Sequence, residues 1–308
     1  MPELPEVENT RLSLVGPLTG ARVLRVEIRR DDVCFLGSSD RPAGRGDLLE
    51  GEKIASLVRH GEQMAIISAD GRAVCVQLGM TGGLLIASPE DPVPAHTHVR
   101  WFMSAGTPGG PEFTLLFRDP RRYGGITAYA SEGAMRGERW SSLGPDALGI
   151  TCASLRARLH PGSRAIKAAL LDQTVLAGVG NIYADEALFR AGVSPRRLAR
   201  SLSDEECNAI ARAIRHVLVA AVTAGGSSIR DYRHGRDEAG RFQREHLVYG
   251  RGGRPCTVCG RVLRVLVVAQ RTTVMCPVCQ GSARRKARHS MQLSTRKKLG
   301  KRPRQAGG

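Results

Sequence analysis

Two cysteine pairs, Cys256-x2-Cys259 and Cys276-x2-Cys279, constrain the fold of this chain more than any other feature it carries. Sixteen residues separate the pairs, and they include a strand-like stretch from Val262 to Met275. A β-hairpin of that length brings both pairs to one end, where four thiolates suit the tetrahedral preference of Zn2+. Two disulfides are the alternative. Cys34, Cys75, Cys152 and Cys207 are scattered singly and read as reduced, packed thiols, which favours the metal. Four sulfur ligands leave no open coordination position, so one zinc ion here is expected to be structural.

Upstream, the periodicity changes twice. Leu4, Val7, Leu14, Val15 and Leu18 mark one face of a helix that Gly20 stops. Short segments follow at 23–28, 64–68, 73–78, 99–103, 113–117 and 126–130, separated by Gly, Pro, Asp and Ser clusters. That pattern predicts one helix plus an antiparallel β-sandwich or barrel of six to eight strands over residues 2–130. Around Gly144-Pro145 the period becomes helical. Ile210, Ile214, Val217, Leu218, Ala221 and Val222 form a stripe, Ser203 and Glu206 a capping box ahead of it, and Gly225-Gly226 its end. A glycine turn from Ala177 leads into a second helix with Asn181 as the expected N-cap. Such a helix start suits a phosphate or is simply an ordinary capped helix. The polar stretch 231–246 predicts a mobile loop. The class is α+β, with units at 2–130, 144–232 and 246–280 and a basic tail at 281–308 expected to be disordered.

The formal charge of +17 points to an acidic partner, with nucleic acid ahead of membrane. The tail holds ten Lys or Arg and no acid, so residues 1–280 still carry +7. No run of 18 apolar residues exists and the N-terminus is acidic, which predicts a soluble, intracellular protein.

The first eight residues, Met1-Pro2-Glu3-Leu4-Pro5-Glu6-Val7-Glu8, carry a chemistry of their own. Removal of Met1 would leave a secondary α-amine at Pro2, which titrates near ~8 and is partly neutral at physiological pH. Such an amine can add to an aldehydic carbon and lose water to an iminium, with the Glu3 carboxyl able to protonate a sugar ring oxygen. In the bland alternative, Pro2 and Pro5 only stiffen a helix start whose positive end Glu6 and Glu8 favour.

Taken in order, this octet, Asp119-Pro120-Arg121-Arg122-Tyr123-Gly124, the Gly178-to-Glu186 turn and the four-cysteine hairpin resemble the formamidopyrimidine-DNA glycosylase family over about residues 2–280. Leu4 resembles the Fpg branch, since Nei-like members usually carry glycine there. The resemblance implies an N-terminal helix with β-sandwich, a helix-two-turn-helix domain and a C-terminal zinc finger, with damaged double-stranded DNA across the cleft. It implies a monomeric, bacterial, cytoplasmic and nucleoid-associated repair enzyme. Such an enzyme excises oxidised purines (8-oxoguanine, formamidopyrimidines) in base excision repair and nicks the abasic site as an AP lyase. Position by position, it makes Pro2 the nucleophile at C1′ and Glu3 the general acid, with Arg271 assisting the last elimination. Met80, Arg121 and Tyr123 would fill the gap left by an everted base, an apolar, cationic and aromatic set suited to an unstacked hole. Asn181 and Arg271 would hold phosphate, and Lys167 and His96 would contact DNA.

Departures accompany the likeness. Glu62 stands where the family carries a strand-borne lysine, and an anion beside phosphate should weaken binding and remove a proton donor. Only Lys53 and Lys167 precede the tail, leaving Arg59 or His60 as the nearby sources of charge. Gln77 replaces a usual histidine, Gly162 lacks a basic contact, and Tyr123 stands for phenylalanine. Two alternatives follow: a weakly catalytic paralogue that binds damaged DNA, or a glycosylase with Nei-like preference for oxidised pyrimidines. A zinc-finger transcription regulator also fits the charge but leaves Pro2-Glu3 unexplained.

Overall fold

The computed structural model describes residues 2–39, 41–106, 110–161, 163–228 and 239–281. Gly162, residues 231–238 of the polar 231–246 stretch and the basic tail after Gly281 lie outside the described residues.

Helix α1 (Leu4–Leu18) is followed by strands β1 (Arg22–Ile28), β2 (Cys34–Leu36), β3 (Ile54–His60), β4 (Gln63–Ser68), β5 (Ala73–Gln77), β6 (Gly83–Ala87), β7 (Thr97–Ser104), β8 (Glu112–Arg118) and β9 (Gly125–Tyr129). They form two sheets, ordered β1-β7-β8-β6 and β2-β9-β5-β4-β3. Period-two patterning explains how both faces of the second sheet are covered. Met64, Ile66, Val74 and Val76 point into a core shared with the first sheet and with Val7, Leu14 and Leu18 of α1. Their neighbours Ala65, Ile67, Ala73 and Cys75 point the other way, beneath Met135 and Trp140. Those two come from α2 (Glu132–Met135) and the π-helical turn Arg136–Trp140.

Among the described residues this unit has nine strands, and β2, β3 and β6 escape the sequence pattern. β2 is only three residues long and pairs with β9 in parallel, the single departure from an antiparallel sandwich. No hairpin joins β2 to β9, so nothing imposes an antiparallel direction on that pair.

Helices α3 (Cys152–Leu159), α4 (Ile166–Leu170), α5 (Asn181–Ala191) and α6 (Asp204–Thr223) build the second core. The Ser203–Glu206 capping box forms at the start of α6 as its sequence predicts. Leu4 of α1 belongs to this helical core, whereas Val7 belongs to the sheet core. One turn of helix thus spans the seam and fixes Pro2-Glu3 between the two units.

The last element is the hairpin β10 (Arg264–Val268) and β11 (Arg271–Met275), closed by Ala269 and Gln270, both at positive φ. Two carboxylates of α5 dock the hairpin and the segment that leads to it. Asp185 accepts from the Val274 N–H at 2.9 Å, and Glu186 accepts from the N–H groups of Leu247, Val248 and Tyr249.

Candidate active site and nucleic-acid interface

At the seam, Glu6 Oε2 accepts the Glu3 N–H at 2.9 Å, which orients the first turn of α1. The Glu3 side chain reaches across to the start of α5, where its carboxylate accepts from the N–H groups of Gly180 (3.0 Å), Ile182 (2.9 Å) and Tyr183 (3.3 Å). A carboxylate from another element therefore caps α5. The N-cap is Gly180 and not Asn181, a correction with a steric cause: a Cβ at Gly180 would lie 2.3 Å from Glu3 Cδ. Gly178 is equally tight, since a Cβ there would lie 2.5 Å from Leu4 Cδ1.

Burial pushes the Glu3 carboxyl up to about 8, with the neighbouring Glu6 and Glu62 adding to the rise and the Ile182 and Tyr183 N–H groups opposing it. A carboxyl of this kind is mostly protonated at neutral pH and can donate a proton. Glu6, also raised by burial, accepts from the Tyr183 hydroxyl at 2.6 Å and the Ser227 N–H at 2.7 Å. Glu6 and Tyr183 thus support Glu3 from behind. For Glu6 the sequence offers only the helix-start reading, and the contact with Ser227 spans 221 residues.

Met80, Arg121 and Tyr123 come together on the sheet unit. The loop after β5 and the turn before β9 pack so closely that a Cβ on Gly79 would meet the Tyr123 carbonyl carbon at 2.4 Å. Asp119, fully buried, joins them: it accepts from the Thr81 hydroxyl (2.5 Å), the Arg121 N–H (3.2 Å) and the Gly124 N–H (2.7 Å). Above this anchor, Met80 is 40% and Tyr123 57% exposed, with the Arg121 guanidinium 4.7 Å from the tyrosine ring centre. His96 is exposed and borders a cavity of about 400 Å³ that Arg30, His98 and Arg122 also line.

The hairpin brings Arg271 to the same seam, exposed and close enough to Glu62 to lower that carboxyl's affinity for a proton. Asn181 Nδ2 donates to the Thr272 carbonyl at 3.0 Å, tying the start of α5 to β11. Cys256, Cys259, Cys276 and Cys279 place their sulfurs within 4.8 Å of one another, with 3.9 Å between Cys256 and Cys279 and 3.4 Å between Cys259 and Cys276. Four sulfurs each ~2.3 Å from a central ion lie under ~4 Å apart, so the set fits one zinc.

Family models agree with this layout. The formamidopyrimidine-DNA glycosylase N-terminal domain matches residues 1–126, the formamidopyrimidine-DNA glycosylase H2TH domain residues 143–233, and a zinc finger found in FPG and IleRS residues 253–281. The formamidopyrimidine-DNA glycosylase of Desulfitobacterium hafniense (strain DSM 10664 / DCB-2) is 40% identical over 282 residues, 91% of this chain and 100% of its own length. This chain belongs to the formamidopyrimidine-DNA glycosylase family. The Thermus thermophilus glycosylase is 41% identical over 91% of this chain and 99% of its own. The solved MutM (FPG) of that organism superposes with a TM-score of 0.77 at 40% identity, covering 92% of this chain and 100% of that one. A Lactococcus lactis FPG mutant solved with Fapy-dG DNA superposes at 0.81 and 28% identity, over 91% and 100% of the two chains.

Within this glycosylase fold, Lys167 departs from the DNA contact expected of it. Its side chain has no exposed surface, and Nζ is bonded to Asp185 (2.6 Å), Thr273 Oγ1 (2.8 Å) and the Thr272 carbonyl (3.3 Å). The ammonium holds β11 against α5 and leaves nothing to present to a phosphate. Neither Arg59 nor His60 makes good the missing lysine. Arg59 is clamped between Glu8 and Asp146, and His60 bonds the Gly144 carbonyl at 2.8 Å and stacks on Trp140. Both are spent on joining the sheet unit to the helical one. Gln77, where the family usually has histidine, accepts from Arg139 at 2.5 Å.

Proposed function

We propose that this glycosylase excises oxidised purines, 8-oxoguanine and formamidopyrimidines, from damaged double-stranded DNA in base excision repair. It then nicks the abasic strand as an AP lyase, acting as a monomer in the bacterial cytoplasm in association with the nucleoid. One observation carries the reading: the Glu3 carboxyl, raised to about 8, is held by three backbone N–H groups one residue from Pro2. Two relatives support the substrate class, a Lactococcus lactis FPG solved with Fapy-dG DNA and a MutM solved with carbocyclic 8-oxo-G DNA. Among the described residues no helix is long and apolar enough to cross a membrane.

With Met1 removed, the Pro2 nitrogen attacks C1′ of an everted nucleoside as Glu3 protonates the departing side, and the base leaves with the electron pair of the glycosidic bond. The nitrogen lone pair then expels O4′ from C1′ as that oxygen takes a proton, and the ring-opened iminium makes the C2′ proton acidic. Met80, Arg121 and Tyr123 occupy the vacated stack, with His96 against the DNA and Asn181 and Arg271 on phosphates. Zinc keeps the hairpin folded so that Arg271 stays at the seam.

Borohydride reduction on 8-oxoguanine duplex, followed by intact-mass analysis, tests this reading. The expected species is the chain without Met1 joined to DNA, and Pro2→Ala should lose both the adduct and nicking. Base release from 8-oxoguanine should fall as pH rises through about 8, where the acid ionises. A Met1-free chain that never cross-links would overturn the assignment. Preferential excision of oxidised pyrimidines in a competition would favour the Nei-like alternative.

A further inference from the structure

Glu62 occupies the turn between β3 and β4, and three observations set it apart from an ordinary surface acid. Its Oε1 is buried with no hydrogen-bond partner. Its neighbour Gly61 is wedged on the glycine turn ahead of α5: a Cβ at Gly61 would lie 2.8 Å from the Ala177 Cβ. That places the carboxyl beside the Glu3 cradle, since Gly178 in the same turn accepts the Leu4 N–H at 3.3 Å. The charges facing it are Glu3 and Glu6 from α1, the amino terminus of the chain, and Arg271 from β11. A buried acceptor with no donor costs stability and calls for an explanation.

We propose that Glu62 is the proton acceptor of the strand-nicking step, taking the C2′ proton from the iminium that Pro2 forms. This rests on the Schiff-base reading above. The C2′–H bond breaks, its proton goes to the Glu62 carboxylate, and its electron pair forms a C1′=C2′ enamine while the C1′–N π pair returns to the proline nitrogen. That nitrogen pair then restores C1′=N, the C1′=C2′ pair becomes C2′=C3′, and the 3′ phosphate leaves with the C3′–O pair. No oxidant or other co-reactant is needed.

Glu3 is poorly suited to this step, because both its oxygens are already engaged by backbone N–H groups. The two carboxyls also differ in proton affinity. Burial, with Glu6 adding and the amino terminus and Arg271 opposing, sets Glu62 at about 7, below Glu3 at about 8. Around neutrality the acid is largely protonated while the base is partly ionised, a division of labour set by environment.

The test uses the full chain on duplex carrying a pre-formed abasic site, so base excision plays no part. Glu62→Gln keeps the shape and removes the base. The expected result is nicking slowed about a hundredfold with borohydride trapping held within about twofold, and Glu62→Asp recovering part of the loss. The wild-type nicking rate per trapped complex should climb as pH rises through about 7, which needs no variant. A flat profile, full-rate nicking by Glu62→Gln at an unchanged thermal midpoint, or faster nicking by Glu62→Lys would each overturn the proposal. The last would mark Glu62 as an obstacle. Absence of trapping in the wild type is a separate signature, and it would remove the Schiff base itself.

Discussion

The seam between α1 and α5 and the rim formed by Met80, Arg121 and Tyr123 are the two parts of the proposed site and are built by opposite rules. At the seam the working side chain is itself immobilised: Glu3 is buried, three N–H groups hold its carboxyl, and Gly180 packs against it with no room for a Cβ. At the rim only the backbone is fixed, by Asp119 and by glycines too close for a Cβ, while the side chains above are exposed. Proton transfer tolerates little misplacement, whereas filling a hole in a bent duplex requires side chains that can follow the DNA. The same physics explains the proton affinities. Burial that fixes Glu3 also keeps its proton on.

The strongest way to break this contrast is to add one methyl group at the seam. Gly180→Ala would drive a Cβ to 2.3 Å from Glu3 Cδ, and the carboxyl must move or lose its donors. Single-turnover release of 8-oxoguanine should fall at least about a hundredfold, the scale expected for a displacement of roughly 1 Å. Duplex affinity should change only a few-fold, because the rim and the hairpin are untouched. Equal losses in both would mean that the seam also holds the DNA face together.

A middle-sized effect is expected where the rim is rigid. Asp119→Ala takes the acceptor from the part-buried Gly124 N–H and Thr81 hydroxyl and leaves the Arg121 N–H with Thr81 Oγ1 alone, which should cost about 2 kcal/mol of stability. Chemical denaturation measures that cost. Excision should drop about tenfold, less than for Gly180→Ala, since Glu3 is undisturbed. Arg121→Ala and Tyr123→Phe, above the same anchor, should leave stability nearly unchanged, which would confirm that the rim's order lies in its backbone.

Local signals in the sequence account for much of this architecture. The cysteine spacing foretells the sulfur cluster, the apolar stripe and Ser203–Glu206 foretell α6, and period-two segments mark six of the nine described strands of the sheet unit. The short β2 carries too little pattern to announce itself. Its parallel partner β9 begins 89 residues after Leu36, a distance over which no turn residue can specify pairing. What fails at the site is long range as well. Asn181 looks like a cap because Asn is a good one, yet a carboxylate 177 residues upstream caps α5 through Gly180. The pairing of Glu6 with Ser227, and the confinement of Arg59 and His60 by residues 144–146, depend on how two units meet, and no local window contains that.

Lys167 gives the finest test, because a lysine near DNA and a lysine that braces a hairpin predict the same loss of activity on removal. Salt separates them. Each phosphate neutralised by a side chain contributes roughly one unit to the slope of log affinity against log salt, so a contact lysine carries that signature and a buried brace does not. Lys167 Nζ is fully enclosed by Asp185, Thr273 and the Thr272 carbonyl, with its charge already balanced. Lys167→Met should lower the thermal midpoint, because it leaves Asp185 buried without its cation. Duplex affinity should weaken modestly as β11 loosens, while the salt slope stays at the wild-type value. Arg121→Ala, by contrast, should reduce the slope by about one unit if its guanidinium meets phosphate. A drop of one unit for Lys167→Met would mean that DNA binding pulls the ammonium out of its cage, and the line drawn between the fixed seam and the adaptable rim would then run through α4 instead of beside it.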